Sequence, residues 1–170
     1  MQLELLDTTD LDFRTAIAAE NLVQARNAIA QFLPDKSGNK LRAYKTLLVC
    51  AIELGRLSIA LEVAPFCGHR FTKDDFRDCM KKAIRAGNLT ETLLCKERLH
   101  ENFTWQEVYG LRSSMIEKRI PLPYVLTQLG MLSPLNPLRE ALLKIVDLHV
   151  PMWKLPPDEQ LLIHVLKIVK

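Results

Sequence analysis

Ala51-Ile-Glu-Leu-Gly-Arg-Leu-Ser-Ile-Ala-Leu61 and Ala83-Ile-Arg-Ala-Gly-Asn-Leu-Thr-Glu-Thr-Leu93 repeat one pattern at a spacing of 32 residues, and Ala16-Ile-Ala-Ala-Glu-Asn-Leu-Val-Gln-Ala-Arg26 carries it 35 residues upstream. A further step of 32 reaches Met115-Ile116, so Ile17, Ile52, Ile84 and Ile116 hold equivalent places. Self-similarity at this period is the signature of stacked helical units. The Ala-Ile pair supplies the apolar face near the end of a first helix. Gly55 and Gly87 then fall where that helix must stop and reverse, a place that favours a left-handed residue without a Cβ. Asn21 stands one place later in the first copy. Leu22, Leu57 and Leu89 open a second helix that turns back on the first, and Ala25, Ala60 and Thr92 keep it slim at the approach.

Helix starts obey the same frame. Thr72 is followed three residues on by Asp75, and Thr104 by Glu107, again 32 residues apart. The second pair is a capping box and the first its acidic variant. The pattern predicts helical hairpins over about 9–33, 40–66, 72–99 and 104–130. Pro134 and Pro137 then interrupt the chain before helices at about 137–149 and 157–169, the last opened by Pro156-Pro157-Asp158-Glu159. The fold expected is all-α: a superhelix, or solenoid, of about four helix-turn-helix repeats with a divergent C-terminal helix pair, forming one domain over 1–170.

Composition agrees with a folded globular chain: 170 residues, 48% apolar and 25% charged, with only 6 Gly and 6% aromatics. No stretch alternates apolar and polar residues as a half-buried strand would. The net charge of +3 is too small to argue for nucleic acid by itself. Met1 to Asp10 carries Glu4, Asp7 and Asp10 and no basic segment, and apolar runs are far shorter than a membrane span. A cytoplasmic protein with no membrane partner is therefore expected, its cysteines (Cys50, Cys67, Cys79 and Cys95) reduced.

Ala43-Tyr-Lys-Thr-Leu-Leu48 followed by Gly55-Arg-Leu-Ser-Ile-Ala-Leu-Glu-Val63 resembles a single tetratricopeptide or pentatricopeptide repeat. Tyr44, Gly55 and Ala60 stand where those families place an early aromatic, a glycine at the helix end and an alanine five residues later. Phe76 and Gly87 match two of these places in the next unit. The resemblance covers roughly 9–130 and degrades after Arg119, where arginine holds the glycine position and Pro121 and Pro123 intrude. It implies a binding scaffold, since such proteins mostly hold partners.

On that reading the favoured function is a non-catalytic protein-binding adaptor or chaperone-like module whose partner is another protein or peptide. Lys45, Arg77, Lys81, Tyr109 and Arg112, on first helices, are the expected partner-binding residues. Lys45 and Arg77 follow the repeat aromatic one period apart and would align into a basic stripe, supported by Lys36, Lys40, Arg42, Arg70, Lys73, Lys82 and Arg85. The interleaved Asp74, Asp75 and Asp78 argue instead for a solvated face with compensating charges. Single-stranded RNA, read by such side chains, is the alternative partner.

An enzyme without a local signature stands third, for no phosphate-cradling loop, HExxH helix or nucleophile elbow is present. No cofactor is expected. Nor is a metal: Cys67-Gly68-His69 has no second Cys/His pair at ligand spacing, and His100, His149 and His164 stand alone. The final helix is apolar almost all round, with Gln160, His164 and Lys167 as a narrow polar strip. It is expected either to tuck into a groove of its own chain near Trp153 and Leu155, or to dock on a second copy or on a partner through Leu162, Val165, Leu166 and Val169.

Overall fold

The computed structural model describes residues 21, 24–27, 29, 38–149 and 154–168. The expected first helix over 9–19, together with Lys36, Trp153 and Val169, lies outside them. Among the described residues every regular element is helical. Residues 24–27 and 29 are helical. They are followed by α1 (Gly38–Glu53), α2 (Leu57–Val63), α3 (Lys73–Arg85) and α4 (Leu89–Leu99), then by α5 (Trp105–Glu117), α6 (Leu122–Met131), α7 (Leu138–His149) and α8 (Pro157–Ile168). The chain divides into two compact units whose boundary, between Cys79 and Met80, falls within α3.

The turns explain the repeat. After α1 the backbone N–H groups of Arg56 and Gly55 donate to the carbonyls of Ala51 and Ile52 at 2.8 and 3.0 Å. After α3, Asn88 and Gly87 donate to Ala83 and Ile84 at 2.9 and 3.0 Å, and after α5, Ile120 and Arg119 donate to Met115 and Ile116 at 3.0 Å each. This crossed pair is the Schellman closure of a helix end, and it demands a left-handed residue at its centre. Gly55, Gly87 and Arg119 have φ of 67°, 65° and 53°. The recurring Ala-Ile or Met-Ile pair thus supplies the two carbonyls that close each hairpin. Arg119, which the sequence pattern reads as a break, keeps the turn by adopting a conformation that costs an L-residue roughly 1–2 kcal/mol.

One boundary differs from expectation. The second helix of the 40–66 hairpin ends at Val63 and tightens into a 3-10 turn over Ala64–Cys67. Pro65 has no N–H to continue the α ladder, and Gly68, at φ 66°, ends the turn.

In the first unit Ile29, Leu47, Ala51, Ala60 and Val63 are among the fully enclosed side chains. Arg26 and Glu62 form an ion pair between the helical residues 24–27 and α2. In the second unit Leu89, Leu111, Met115, Leu129, Leu142, Ile145 and Ile163 form the centre of one cluster. Within that unit, helices a repeat apart touch. Thr90 Oγ1 on α4 lies 2.7 Å from the Tyr124 hydroxyl on α6. A Cβ on Gly87 would meet the backbone of Ser114 on α5 at 3.1 Å.

The last helix uses one face inside its own unit. Ile163 is fully buried and Leu166 packs against the core. Arg139 on α7 is itself buried and donates from Nη2 to the Leu166 carbonyl (2.7 Å) and from Nη1 to the Leu132 carbonyl (3.0 Å). It satisfies a last-turn carbonyl of α8 and the carbonyl just past α6, positions a helix leaves without internal partners. Lys167 reaches Asp147 at 3.0 Å. Leu155 is buried, while Leu162 and Val165 remain exposed. Of the residues expected at an interface with a second copy, Leu166 is thus used within the chain.

Candidate functional site

Helix α5 begins where its cap dictates. The Thr104 N–H donates to Glu107 Oε2 at 2.9 Å, and the Glu107 N–H donates to Thr104 Oγ1 at 3.2 Å. With the start fixed, the 3.6-residue period sends Val108, Leu111 and Met115 into the core. The other side carries two large aromatics: Trp105 is 61% exposed and Tyr109 49%, with Ile116 also exposed further along. Trp105 and Tyr109 are one helical turn apart, and their ring centroids lie 6.3 Å from each other at a 42° tilt.

Arg112 extends this stripe. Its guanidinium lies 5.6 Å from the Tyr109 ring centroid, and its Nε donates to the carbonyl of Leu148 at the end of α7. That second bond, at 2.7 Å, makes Arg112 part of the α5–α7 packing as well as of the surface. Its repeat equivalents Leu48 and Met80 are buried apolar residues, which is why an arginine here bends toward the neighbouring helix. Beside Trp105 opens a cavity of about 390 Å³, lined on the α5 side by Asn102, Phe103, Trp105 and Val108 and on the α7 side by Pro137, Glu140, Ala141 and Lys144. Lys144 and Glu140 form an exposed ion pair at 3.4 Å on its rim.

Of the five expected binding residues, Tyr109 and Arg112 are brought into contact here. Lys45 is exposed on α1. Arg77 is exposed on α3, with Nη1 3.5 Å from Asp74 Oδ1, so part of its charge is answered locally. Lys81 is exposed one turn further along α3 and also has an interaction partner. The repeat pattern does not single out Trp105. Its signal is an aromatic pair at i and i+4 on the face that the core pattern leaves outside.

Lys96 also escapes a reading of the sequence, and its side chain is 1% exposed. It lies in the apolar period of α4, between Leu89, Leu93 and Leu99, and that placement is the available sign. Its Nζ donates to Glu107 Oε2 (2.7 Å) and to the Asn102 carbonyl (3.0 Å), and sits 5.4 Å from the Phe103 ring centroid. Its role is structural, since it ties the loop before α5 to α4.

The Cys67-Gly68-His69 turn serves a helix cap. His69 Nε2 lies 3.2 Å from Asp75 Oδ2, the same oxygen that accepts the Thr72 N–H at 2.9 Å. Among the described residues no group of three or more His, Cys, Asp or Glu side chains converges. Burial pushes the Asp75 carboxyl up, but the Thr72 N–H, the His69 ring and the Thr72 hydroxyl outweigh it and hold the group below the ordinary 3.8.

A carboxyl held low in the folded state stabilises at pH values above the unfolded value, and that contribution is lost as pH falls through the folded one. Urea midpoints measured from pH 6 downward should therefore fall more steeply for the wild type than for Asp75→Asn once the pH drops below 3.8. Parallel curves would mean that the cap contributes no pH-dependent stability.

No known family model, curated protein or solved structure matches this chain. The α5 stripe must therefore be read from its own chemistry. Exposed Trp and Tyr with an adjoining Arg are the residue types that dominate protein–protein binding energy, and a cavity opens beside them. Among the described residues no helix is long and apolar enough to cross a membrane.

Proposed function

We propose that this chain is a non-catalytic protein-binding adaptor or chaperone-like module, a helical-repeat scaffold of the solenoid type acting in the cytoplasm. One observation carries the reading: Trp105 and Tyr109 stand side by side and exposed at the edge of the α5–α7 cavity. A helix with a satisfied cap and a buried inner face does not need two large aromatics outside. Exposing them leaves apolar area in water at roughly 25 cal/mol per Å², a cost that a partner's contact would recover. The three equivalent Schellman turns and the resemblance of the 43–63 segment to tetratricopeptide-like repeats support the scaffold part of the proposal.

The test compares proteins retained by the immobilised wild-type chain with those retained by the Trp105→Ala/Tyr109→Ala double variant. Equal melting temperatures would establish that both are folded. Truncating two aromatic anchors should cost about 2–4 kcal/mol of binding, enough to remove specific partners from the second set. Identical sets would remove the stripe from consideration.

Lys45 and Arg77, exposed at equivalent repeat positions, favour single-stranded RNA as a second reading. That reading requires affinity for an oligonucleotide to fall steeply with salt through counterion release. It also requires Lys45→Glu/Arg77→Glu to abolish binding while Trp105→Ala/Tyr109→Ala does not.

A further inference from the structure

We infer that the α5–α7 groove takes an extended peptide segment carrying an aliphatic or aromatic anchor three residues away from a carboxylate side chain. This rests on the adaptor reading above and adds the chemistry of the partner. The cavity beside Trp105 is mixed, with apolar walls in Phe103, Trp105, Val108 and Ala141 and polar ones in Asn102, Glu140 and Lys144. Its volume, about 390 Å³, falls within the range of ligand pockets and has ample room for one inserted aliphatic or aromatic side chain. Trp105 and Tyr109 then offer a shelf along which the peptide backbone continues.

The charge pattern selects the second feature of the peptide. At the far end of the shelf lies Arg112. Its contacts are with the Leu148 carbonyl and the face of Tyr109, and among the described residues no carboxylate pairs with it. At the near end the charges already cancel, Lys144 against Glu140. The stripe therefore carries one uncompensated positive charge, at a fixed place. A guanidinium anchored through Nε presents its remaining N–H groups as a fork that suits a carboxylate.

Spacing gives the register. From Trp105 to Arg112 the helix rises seven residues, roughly 10 Å at about 1.5 Å each. An extended chain covers that distance in about three residues at roughly 3.3 Å each. Either order of anchor and acid along the peptide satisfies this geometry.

The experiment uses the full chain and fluorescein-labelled nonapeptides, read by fluorescence polarisation. Each carries a Leu, Phe or Trp anchor with Glu three residues before or after it and varied uncharged residues elsewhere. Control peptides replace Glu by Gln, replace it by Lys, or place it next to the anchor. The Glu peptides should bind at least about tenfold more tightly than their Gln counterparts, the gain of one charge-assisted hydrogen bond. That ratio should shrink toward one in R112Q. Raising the salt concentration on the wild-type protein should shrink it too, which guards against a folding defect in the variant.

If Gln, Lys or adjacent-Glu peptides bind as tightly as the spaced Glu peptides, and W105A weakens them all, the acidic partner is wrong while the adaptor site stands. If no anchored peptide of any charge binds, the inference and the adaptor reading of this groove fall together.

Discussion

Gly87→Ala is expected to destabilise the unit from Met80 onward by about 2–4 kcal/mol, read as a shift of the urea midpoint at unchanged slope. Two effects add. Gly87 has φ 65°, a conformation that costs an L-residue about 1–2 kcal/mol. Its missing Cβ would also lie 3.1 Å from the Ser114 carbonyl oxygen and 3.2 Å from the Ser114 carbonyl carbon, both backbone atoms of α5 that cannot rotate away. Gly68 separates the two effects, for it has φ 66° with nothing within 4 Å of a built Cβ. Gly68→Ala should thus cost only the conformational part, about 1–2 kcal/mol. Equal costs at the two positions would show that α5 yields freely and that the close approach at Gly87 contributes nothing. The complement is Arg119→Gly, which removes the strain at φ 53°. It should stabilise by about 0.5–1 kcal/mol after allowing for the extra unfolded-state entropy of glycine.

The three hairpin turns at Gly55, Gly87 and Arg119 also show what can be read from the sequence. Gly55 and Gly87 reveal the turns because the required conformation selects its residue. Arg119 conceals the same turn, because main-chain hydrogen bonds to Met115 and Ile116 impose it regardless of side chain. Thr104 and Glu107 are legible because both halves of a capping box lie within four residues. Other residues depend on partners far along the chain. Arg139 reaches Leu166 across 27 residues, and Arg112 reaches Leu148 across 36. No local pattern encodes such a pairing, so the sequence hides the role of Arg139 and presents Arg112 only as a surface cation. The candidate site is half legible. Tyr109 falls on an outward helix face by periodicity alone, whereas Arg112 occupies a position that is apolar and buried at Leu48 and Met80, and the cavity that gives Trp105 its meaning exists only once α7 lies beside α5.

Glu107→Ala should be the most damaging single change among the polar residues, at about 3–5 kcal/mol. The carboxylate serves two donors through one oxygen: the Thr104 N–H at 2.9 Å and the Lys96 ammonium at 2.7 Å. Losing the cap alone costs about 1 kcal/mol. The larger part comes from Lys96, whose side chain is 1% exposed and would keep a buried charge facing only the Asn102 carbonyl and the Phe103 ring. Lys96→Met should behave very differently, within about 1 kcal/mol of wild type, because an apolar side chain of similar length suits that environment and Glu107 keeps both its cap and some contact with water. In the double variant the penalty of Glu107→Ala should therefore shrink to the cap alone. The pair, in direct contact, should then show a coupling of about 2–4 kcal/mol. If Glu107→Ala costs the same in the presence of Lys96 and of Met at that position, the ammonium is solvated in the folded state and the buried pair does not tie α4 to α5.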